Sequence, residues 1–245
     1  MINRHPRRQP AASVGDALAG LDAVDFGYRR RGTLVLRGLT LTVDHRATVI
    51  IGPNGAGKST VLRLLARQLT PTGGQVLESV STGYSPQRPV TLAAFTAGEQ
   101  VEYAGWLGGL SRRASVPAAG AAISMVGLDS LAGRPATALS GGEAAKLGIA
   151  CALVTSPRLL LLDEPTAALD PIARSSVTAV LRQLVADGVT VVATSHTAAD
   201  VGPPFERLVM MNQGRIEFDG TPADFLSGVH SSPTATELAR ALRGY

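Results

Sequence analysis

The feature that most restricts the fold of this chain is a glycine-rich segment that separates a run of apolar residues from a helix-like pattern. The apolar run comprises residues 47–51 and is typical of a strand inside a parallel sheet. Directly after it comes the segment Gly52-Pro53-Asn54-Gly55-Ala56-Gly57-Lys58-Ser59-Thr60. A strand before the glycines and a helix after them are the two contexts expected of a phosphate-binding loop, and an ordinary glycine-rich turn is the disfavoured alternative.

The residue types in this segment suit the binding of a phosphate chain. Glycines let the backbone fold tightly so that its N–H groups point inward, and a helix that begins near Lys58 adds the positive end of its dipole. We expect the ammonium group of Lys58 to reach the β- and γ-phosphates of a nucleotide. We expect the hydroxyl of Ser59 to hold Mg²⁺.

A second group of chemical interest follows the four leucines at residues 159–162, which indicate a buried strand. The next two residues are Asp163 and Glu164. We expect Asp163 to hold Mg²⁺ from its outer shell or through water, and Glu164 to polarise an attacking water molecule. Solvated surface charges are the alternative, which the leucines disfavour. Adjacent carboxylates on a strand point to opposite faces, which excludes a glycosidase pair.

The rest of the chain alternates between strand-like and helix-like segments. Further strands are predicted at residues 23–28, 33–43, 189–193 and 208–211. One intervening helical pattern places four apolar residues on a single face, namely Val177, Val180, Leu181 and Leu184. Residues 92–155 instead hold alanine-rich, helix-like segments without a clear strand. The alternation predicts an α/β domain with a parallel sheet covered on both sides and a helical subdomain inserted into it.

The motif that decides between families is Leu139-Ser140-Gly141-Gly142-Glu143. A serine and two glycines before a helical pattern form a second anion-binding helix N-terminus. Together with the phosphate loop and the acidic pair after the leucines, this motif resembles the signature of the ABC-family ATPases. The resemblance covers nearly all of residues 20–228.

This resemblance implies a P-loop NTPase fold of the α/β class, with a mostly parallel core sheet, an N-terminal antiparallel β region and an inserted α-helical subdomain. It implies that ATP binds with Mg²⁺. It also implies that two cassettes pair head to tail, so that Ser140, Gly141 and Gly142 of one cassette close over the γ-phosphate held by the other. The expected domains are a disordered basic tail (1–18), the cassette (19–228, helical at about 92–155) and a helical C-terminal tail (229–245).

Four further residues take their roles from the resemblance. Tyr28 resembles the aromatic residue that stacks on adenine, and an ordinary strand residue is the alternative. Gln87 resembles the glutamine that reaches Mg²⁺ and the attacking water. Asp170 resembles part of the loop between the two cassettes and is placed with the nucleotide-binding residues. His196 resembles the switch histidine that contacts the γ-phosphate, whereas a lone histidine at a strand end is usually structural.

The sequence departs from the family pattern at several positions near these motifs. His45 and Arg46 stand where the family commonly has a Gly-Glu turn, and Glu143 replaces the usual glutamine of the signature. Ala144 and Ala145 occupy positions that are often basic. The catalytic groups remain, so the expected effect is on the signature contacts. A weakly active or asymmetric cassette is the alternative that these changes leave open.

Composition limits the partners and the location of the protein. Most of the net charge of +4 arises in residues 1–31, which hold six arginines and three aspartates, so the remainder is close to neutral. This distribution gives little support to nucleic-acid binding, and contact of the tail with an anionic membrane is the alternative to a solvated tail. No apolar run is long enough to span a bilayer, and the first residues are polar. We therefore expect a peripheral protein on the cytoplasmic face of the cell membrane.

Two functions are consistent with these motifs. The favoured one is an ATP-hydrolysing subunit that pairs with a second cassette and drives a membrane-spanning permease in another chain. The alternative is a non-transport ABC ATPase acting on ribosomes or DNA, which the single cassette, the single cysteine and the lack of heptads disfavour. Residues 91–95 and 103–110 resemble the exporter branch that handles drugs, lantibiotics and polysaccharides, and they predict export.

Overall fold

The computed structural model describes residues 17–29, 32–77, 80–197, 200–228 and 236–237. Within these ranges the strands are β1 (Ala19–Phe26), β2 (Leu36–Val43), β3 (Thr48–Ile51), β4 (Gly73–Leu77), β5 (Thr82–Ser85), β6 (Leu159–Leu162), β7 (Thr190–Ser195), β8 (Arg207–Asn212) and β9 (Arg215–Gly220). The α-helices are α1 (Lys58–Leu65), α2 (Ala97–Leu107), α3 (Arg112–Met125), α4 (Gly141–Leu153), α5 (Pro171–Ala186) and α6 (Pro222–Ser227). The predicted N-terminal and C-terminal tails lie outside the described residues, except for residues 17, 18, 236 and 237.

Six strands form the central sheet, in the spatial order β5-β6-β7-β3-β8-β9. The first five are parallel to one another, and β9 pairs with β8 in the antiparallel sense. The prediction of an α/β fold with a mostly parallel core sheet is confirmed. Because the carboxyl ends of parallel strands share one edge, the residues that follow β3, β5, β6 and β7 come together there.

The central strands are buried on both faces, as their continuous apolar sequences predict. Every residue of β3 and of β6 is buried. Successive side chains point to opposite sides, so Val49 packs into one hydrophobic cluster and Ile50 into the other. Helix α5 covers the first cluster with the predicted face of Val177, Val180, Leu181 and Leu184, and α1 packs into the second cluster.

A smaller antiparallel sheet has the order β2-β1-β4. It confirms the predicted N-terminal antiparallel β region, although β1 begins at Ala19 rather than at residue 23. The sequence did not predict β4, β5 or β9. Strand β4 begins with Gly73 and Gly74 and is only partly buried, so its composition lacks a strand pattern. It forms because it pairs with β1.

Three helices, α2, α3 and α4, lie between β5 and β6. Residues 92–155 are all described and contain no strand, only an isolated bridge between Thr96 and Pro135. Thr96 and Glu99 close a capping box that fixes the start of α2. The helical content agrees with the sequence, while the bounds of a separate subdomain stay a prediction. None of the helices in the described ranges is both long and apolar enough to cross a membrane.

Cys151 lies in α4 and packs against the main hydrophobic cluster. The side-chain amide of Gln100 donates to its sulfur at 3.9 Å. Burial raises the pKa of the thiol to about 11. Since the thiolate is the reactive form, this cysteine is a packing residue at neutral pH, as its apolar surroundings in the sequence indicate.

Candidate functional site

The predicted phosphate loop lies where β3 reaches the carboxyl edge of the central sheet. Residues 52–57 form the turn, and α1 begins at Lys58. Gly52 has a φ of +150°, and a Cβ atom there would lie 2.1 Å from the carbonyl oxygen of Met211, so no side chain fits. Gly57 has a φ of +102°, in the left-handed region, directly before the helix. The backbone therefore requires glycine at both ends of this turn.

The ammonium group of Lys58 lies across the base of the loop. Its Nζ donates to the carbonyl oxygens of Gly52 at 2.8 Å and Pro53 at 3.2 Å, and it lies 3.7 Å from Oε1 of Glu164. The side chain is 5% exposed. Burial lowers the pKa of Lys58 below its ordinary value, against the opposing effects of Glu164 and Asp163. The loop thus encloses a nearly buried amine that an incoming phosphate would favour in its charged form.

Asp163 follows β6, and its carboxylate lies among hydroxyl groups. Oδ1 accepts hydrogen bonds from Oγ of Ser59 at 2.9 Å and from Oγ1 of Thr194 at 2.7 Å. The hydroxyl of Tyr84 donates to Oδ2 at 3.5 Å. Burial, together with the charge of Asp163, raises the pKa of Tyr84 to about 12. The structure therefore brings together Ser59 and Asp163, the two residues that the sequence assigns to the phosphate loop and the leucine-rich strand.

Glu164 is the residue on which the other predicted catalytic side chains converge. Its Oε2 accepts a hydrogen bond from Nε2 of Gln87 at 2.8 Å and lies 2.9 Å from Nδ1 of His196. Its side chain is 9% exposed, and its backbone is left-handed, with a φ of +47°. This conformation turns Glu164 out of the direction of β6. Asp163 and Glu164 therefore serve different parts of the same site.

Tyr28 stands beside the phosphate loop. Its hydroxyl lies 3.1 Å from Oγ1 of Thr60, and its ring packs edge-on against Phe26 with a centroid separation of 5.1 Å. Because β1 ends at Phe26, Tyr28 is not a strand residue, and that alternative is wrong. The residue is 59% exposed, so its ring remains accessible to a planar ligand.

Several of these groups line one open cavity of about 460 Å³, which we call the phosphate-loop cavity. The residues that line it are Tyr28, Val35, Asn54, Gly55, Ala56, Gly57, Lys58, Ser59, Thr60, Gln87 and Glu164. The cavity combines a helix N-terminus, a cation, a hydroxyl beside a carboxylate, and a nearly buried glutamate. Such a set can hold a chain of phosphates and orient a water molecule at its end.

The predicted signature residues lie at the start of α4. Ser140 caps this helix, and its backbone N–H donates to Oε2 of Glu143 at 2.8 Å while its Oγ accepts from the N–H of Glu143 at 3.4 Å. The hydrogen bonds from Ser140 lower the pKa of Glu143 below its ordinary value. Glutamate closes a capping box as glutamine does, so this departure from the family pattern leaves the helix start intact.

A second open cavity, which we call the signature cavity, lies at this helix start. Its lining includes Ser140, Gly142, Lys146, Asp170 and Ile172. Asp170 caps α5, and its Oδ1 accepts hydrogen bonds from the N–H groups of Ile172 and Ala173 at 2.9 Å each. Among the described residues, none lines both the signature cavity and the phosphate-loop cavity. The predicted nucleotide-binding residues of this chain thus lie in two separate cavities.

The oxygen donors of the phosphate-loop cavity fit Mg²⁺. Ser59 and Asp163 present a hydroxyl and a carboxylate 2.9 Å apart. Mg²⁺ commonly takes one or two such protein ligands and fills its octahedron with water and phosphate oxygens. Gln87, the third predicted metal contact, donates to Glu164 instead. In the described part of the chain, no cluster of three or more His, Cys, Asp or Glu side chains is arranged to hold a metal.

Sequence reasoning missed Thr194. It is 1% exposed and contacts both acidic residues, through the side chain of Asp163 and the backbone of Glu164. A hydroxyl-bearing residue at the end of the apolar run 191–193, directly before Ser195 and His196, was the available signal. The patterns used to find strands treat threonine as an ordinary β-branched residue and overlook it.

Comparison with known proteins gives a consistent result. A family model described as ABC transporter matches residues 36–167. The "Uncharacterized ABC transporter ATP-binding protein YxlF" of Bacillus subtilis is 36% identical over 184 residues, which cover 72% of this chain and 62% of that relative. The "Phosphonates import ATP-binding protein PhnC" of Thiobacillus denitrificans is 35% identical over 200 residues, which cover 72% of this chain and 77% of the relative.

Solved structures are also similar to this fold. A dimeric ATP-binding cassette in a post-hydrolysis state, bound to ADP and Pi, superposes with a TM-score of 0.71 and 26% sequence identity. That match covers 83% of this chain and 98% of the solved chain. The arrangement of sheets and helices described above is therefore that of an ATP-binding cassette.

Proposed function

This chain belongs to the ABC transporter family as an ATP-binding subunit with an ATPase domain, and we propose that it hydrolyses Mg²⁺-ATP to drive a membrane-spanning permease in another chain. The observation that carries the proposal is that Lys58, Ser59 and Glu164 line one cavity, with Asp163 hydrogen-bonded to Ser59 beside it. Each group matches a separate need of phosphoryl transfer: charge, metal and water.

Binding rests on the loop and on Tyr28. The N–H groups of residues 54–58 and the ammonium of Lys58 hold the phosphates, and burial makes that charge effective because little water screens it. Ser59 and Asp163 would hold Mg²⁺, which would offset the negative charge of the phosphates. The exposed ring of Tyr28 stacks on adenine.

Hydrolysis rests on Glu164 and its neighbours. Its carboxylate polarises the attacking water, while Gln87 and His196 fix the orientation of Oε2 through contacts of 2.8 and 2.9 Å. Lys58 lies 3.7 Å from the other oxygen, so phosphate competes with Glu164 for this cation. Binding of the substrate therefore weakens the contact between Lys58 and Glu164, and Glu164 becomes free to act as the base.

Pairing with a second cassette follows from the two separate cavities. Ser140, Gly141 and Gly142 lie at a capped helix N-terminus, which suits an anion, but the phosphate loop of the same chain is elsewhere. A second copy turned head to tail places its signature cavity over the first chain's γ-phosphate and completes two sites. The dimeric arrangement of the similar solved cassette supports this proposal.

Docking of a permease is proposed for the surface of α2 and α3. This surface exposes the apolar side chains of Trp106 and Leu107 on α2 and of Val116 on α3. Exposed apolar side chains that are adjacent to one another mark contact sites more often than solvated surface. In this arrangement the surface of α2 and α3 lies in the cytoplasm and faces the membrane.

The direction of transport is not part of the proposal. Export was predicted from residues 91–95 and 103–110, and it stays a prediction. The relative PhnC is named for import, so similarity at the level of the cassette does not support export.

Recovery of partners tests the proposal as a whole. We expect tagged Glu164→Gln chain, purified with ATP from detergent-solubilised cells of its source, to retain a membrane protein with several spanning helices. Mass spectrometry identifies it, and a parallel Lys58→Ala preparation controls for contacts that do not depend on nucleotide. Recovery of ribosomal or DNA-bound proteins instead would establish the non-transport alternative.

Removal of the Tyr28 ring tests the adenine contact. Tyr28→Ala is expected to weaken ATP affinity by about 5- to 150-fold, which corresponds to roughly 1–3 kcal/mol for stacking of one base. Affinity for magnesium triphosphate, which has no base, is expected to stay the same. Calorimetry measures both, and Tyr28→Phe is the matched control, since it keeps the ring and removes only the hydroxyl contact with Thr60. Equal losses for the two ligands would remove the stacking role.

A further inference from the structure

Thr194 connects Asp163 and Glu164, the two acidic residues that follow β6. Strands β6 and β7 are parallel neighbours in which Leu162 is paired with Ala193, so Asp163, directly after β6, lies beside Thr194 of β7. Oγ1 of Thr194 donates to Oδ1 of Asp163 at 2.7 Å, and the backbone N–H of Glu164 donates to the same Oγ1 at 2.9 Å. One hydroxyl thus holds the metal-binding carboxylate and the backbone of the proposed base.

The direction of both hydrogen bonds follows from the atoms involved. A backbone N–H only donates, so Oγ1 of Thr194 accepts from Glu164 and sends its single proton to Asp163. Oδ1 of Asp163 therefore accepts two hydroxyl donors, Thr194 and Ser59. When Ser59 turns its oxygen to a metal ion, the bond from Thr194 still fixes this carboxylate.

The backbone of Glu164 gives the contact a second role. Its φ of +47° is unfavourable for a residue with a side chain and persists only where surrounding contacts enforce it. The N–H of Glu164 points to Thr194, which is 1% exposed and belongs to a fully buried strand. Loss of the Thr194 hydroxyl would leave the nearly buried N–H of Glu164 without an acceptor and would remove one contact that holds its left-handed backbone.

We propose that Thr194 is a positioning residue that sets the geometry of Asp163 and Glu164 together. The inference rests on the proposed function and adds to it a residue that touches neither nucleotide nor metal. A valine at this position would match the shape of threonine and continue the apolar run before it, so packing alone does not require a hydroxyl. The hydroxyl instead forms the hydrogen bonds with the side chain of Asp163 and the backbone of Glu164.

Three variants separate this role from packing. Thr194→Val removes the hydroxyl and keeps the branched shape, whereas Thr194→Ser keeps the hydroxyl and removes a methyl group. Thr190→Val is the matched control, because Thr190 is a buried threonine at the opposite end of the same strand. Thermal unfolding establishes that each variant is folded before any rate is compared.

Thr194→Val is expected to lower kcat by about 10- to 100-fold and to raise the Mg²⁺ concentration for half-maximal ATPase activity about 10-fold, as loss of an outer contact of a metal ligand does. The KM for ATP is expected to change little, since no nucleotide contact is lost. Thr194→Ser is expected to restore most of kcat and of the Mg²⁺ dependence. A folded Thr194→Val with the kcat and Mg²⁺ dependence of Thr190→Val would overturn the inference, and so would equal losses in the valine and serine variants.

A second readout separates this inference from the proposed function. The gain in ATP affinity on addition of Mg²⁺ is measured by calorimetry and needs no turnover. If the unaltered chain fails to hydrolyse ATP, the proposed function fails, and a smaller Mg²⁺-dependent gain in Thr194→Val than in Thr194→Ser still supports the positioning of Asp163. An identical gain in the two variants would overturn it.

Discussion

Glu164→Gln is expected to slow phosphate release from Mg²⁺-ATP by about 100- to 10,000-fold, the contribution of a well-placed general base. The amide has nearly the shape of the carboxylate but cannot accept the proton of the attacking water. Oε1 of Glu164 also lies 3.7 Å from Nζ of Lys58, so the variant loses a negative charge that competes with phosphate. ATP affinity is therefore expected to be unchanged or higher.

Initial rates at saturating Mg²⁺-ATP measure the first effect, and calorimetry measures the second. The matched control is Glu206→Gln, because Glu206 is exposed and directly precedes β8, at the amino edge of the sheet. Its rate is expected to equal that of the unaltered chain. Near-normal phosphate release from Glu164→Gln would assign the role of the base to another residue.

Lys58→Ala is expected to weaken ATP binding by about 100-fold or more, because it removes a buried charge from its partners. The side chain of Lys58 is 5% exposed, and its ammonium donates to the carbonyl oxygen of Gly52 at 2.8 Å. Hydrolysis is expected to fall with binding, since the γ-phosphate loses its main cation.

Arg63→Ala is the matched control for the lysine variant. Arg63 lies in the last turn of the same helix, so its removal lowers the charge of α1 by the same amount without touching the loop. We expect its ATP affinity to stay close to that of the unaltered chain. Unchanged affinity in Lys58→Ala, measured by calorimetry, would refute the assignment of the phosphate loop.

The central strands and the phosphate loop were predictable because local sequence alone decides them. Residues 159–162 form β6 as predicted, since a short run of four leucines is typical of a strand buried on both faces. The helix at Lys58 follows from the left-handed Gly57 before it. The edge strand β9 alternates between exposed and partly buried positions, a pattern typical of a half-buried strand, so it was missed although its sequence held a signal weaker than the apolar runs of the core strands.

The sequence predicted which residues form the catalytic group, but it did not predict how their side chains contact one another. Gln87 and His196 were assigned by resemblance, and their meeting at Oε2 of Glu164 depends on the order of strands in space, with β6 placed between β5 and β7. The left-handed backbone of Glu164 and its hydrogen bond to Thr194 also have no local sequence signal. Both arise from the pairing of β6 with β7, which is long-range information.

The close approach of Gly52 to the carbonyl oxygen of Met211 has a genetic consequence. A Cβ atom at this position would lie 2.1 Å from that oxygen, and the obstacle is main chain that a change of rotamer cannot relieve. Every single-base change in a glycine codon that alters the amino acid introduces at least a Cβ atom or stops translation. No one-step missense mutation of this codon is therefore compatible with the loop, although Gly52 has no side chain of its own to contribute to the chemistry.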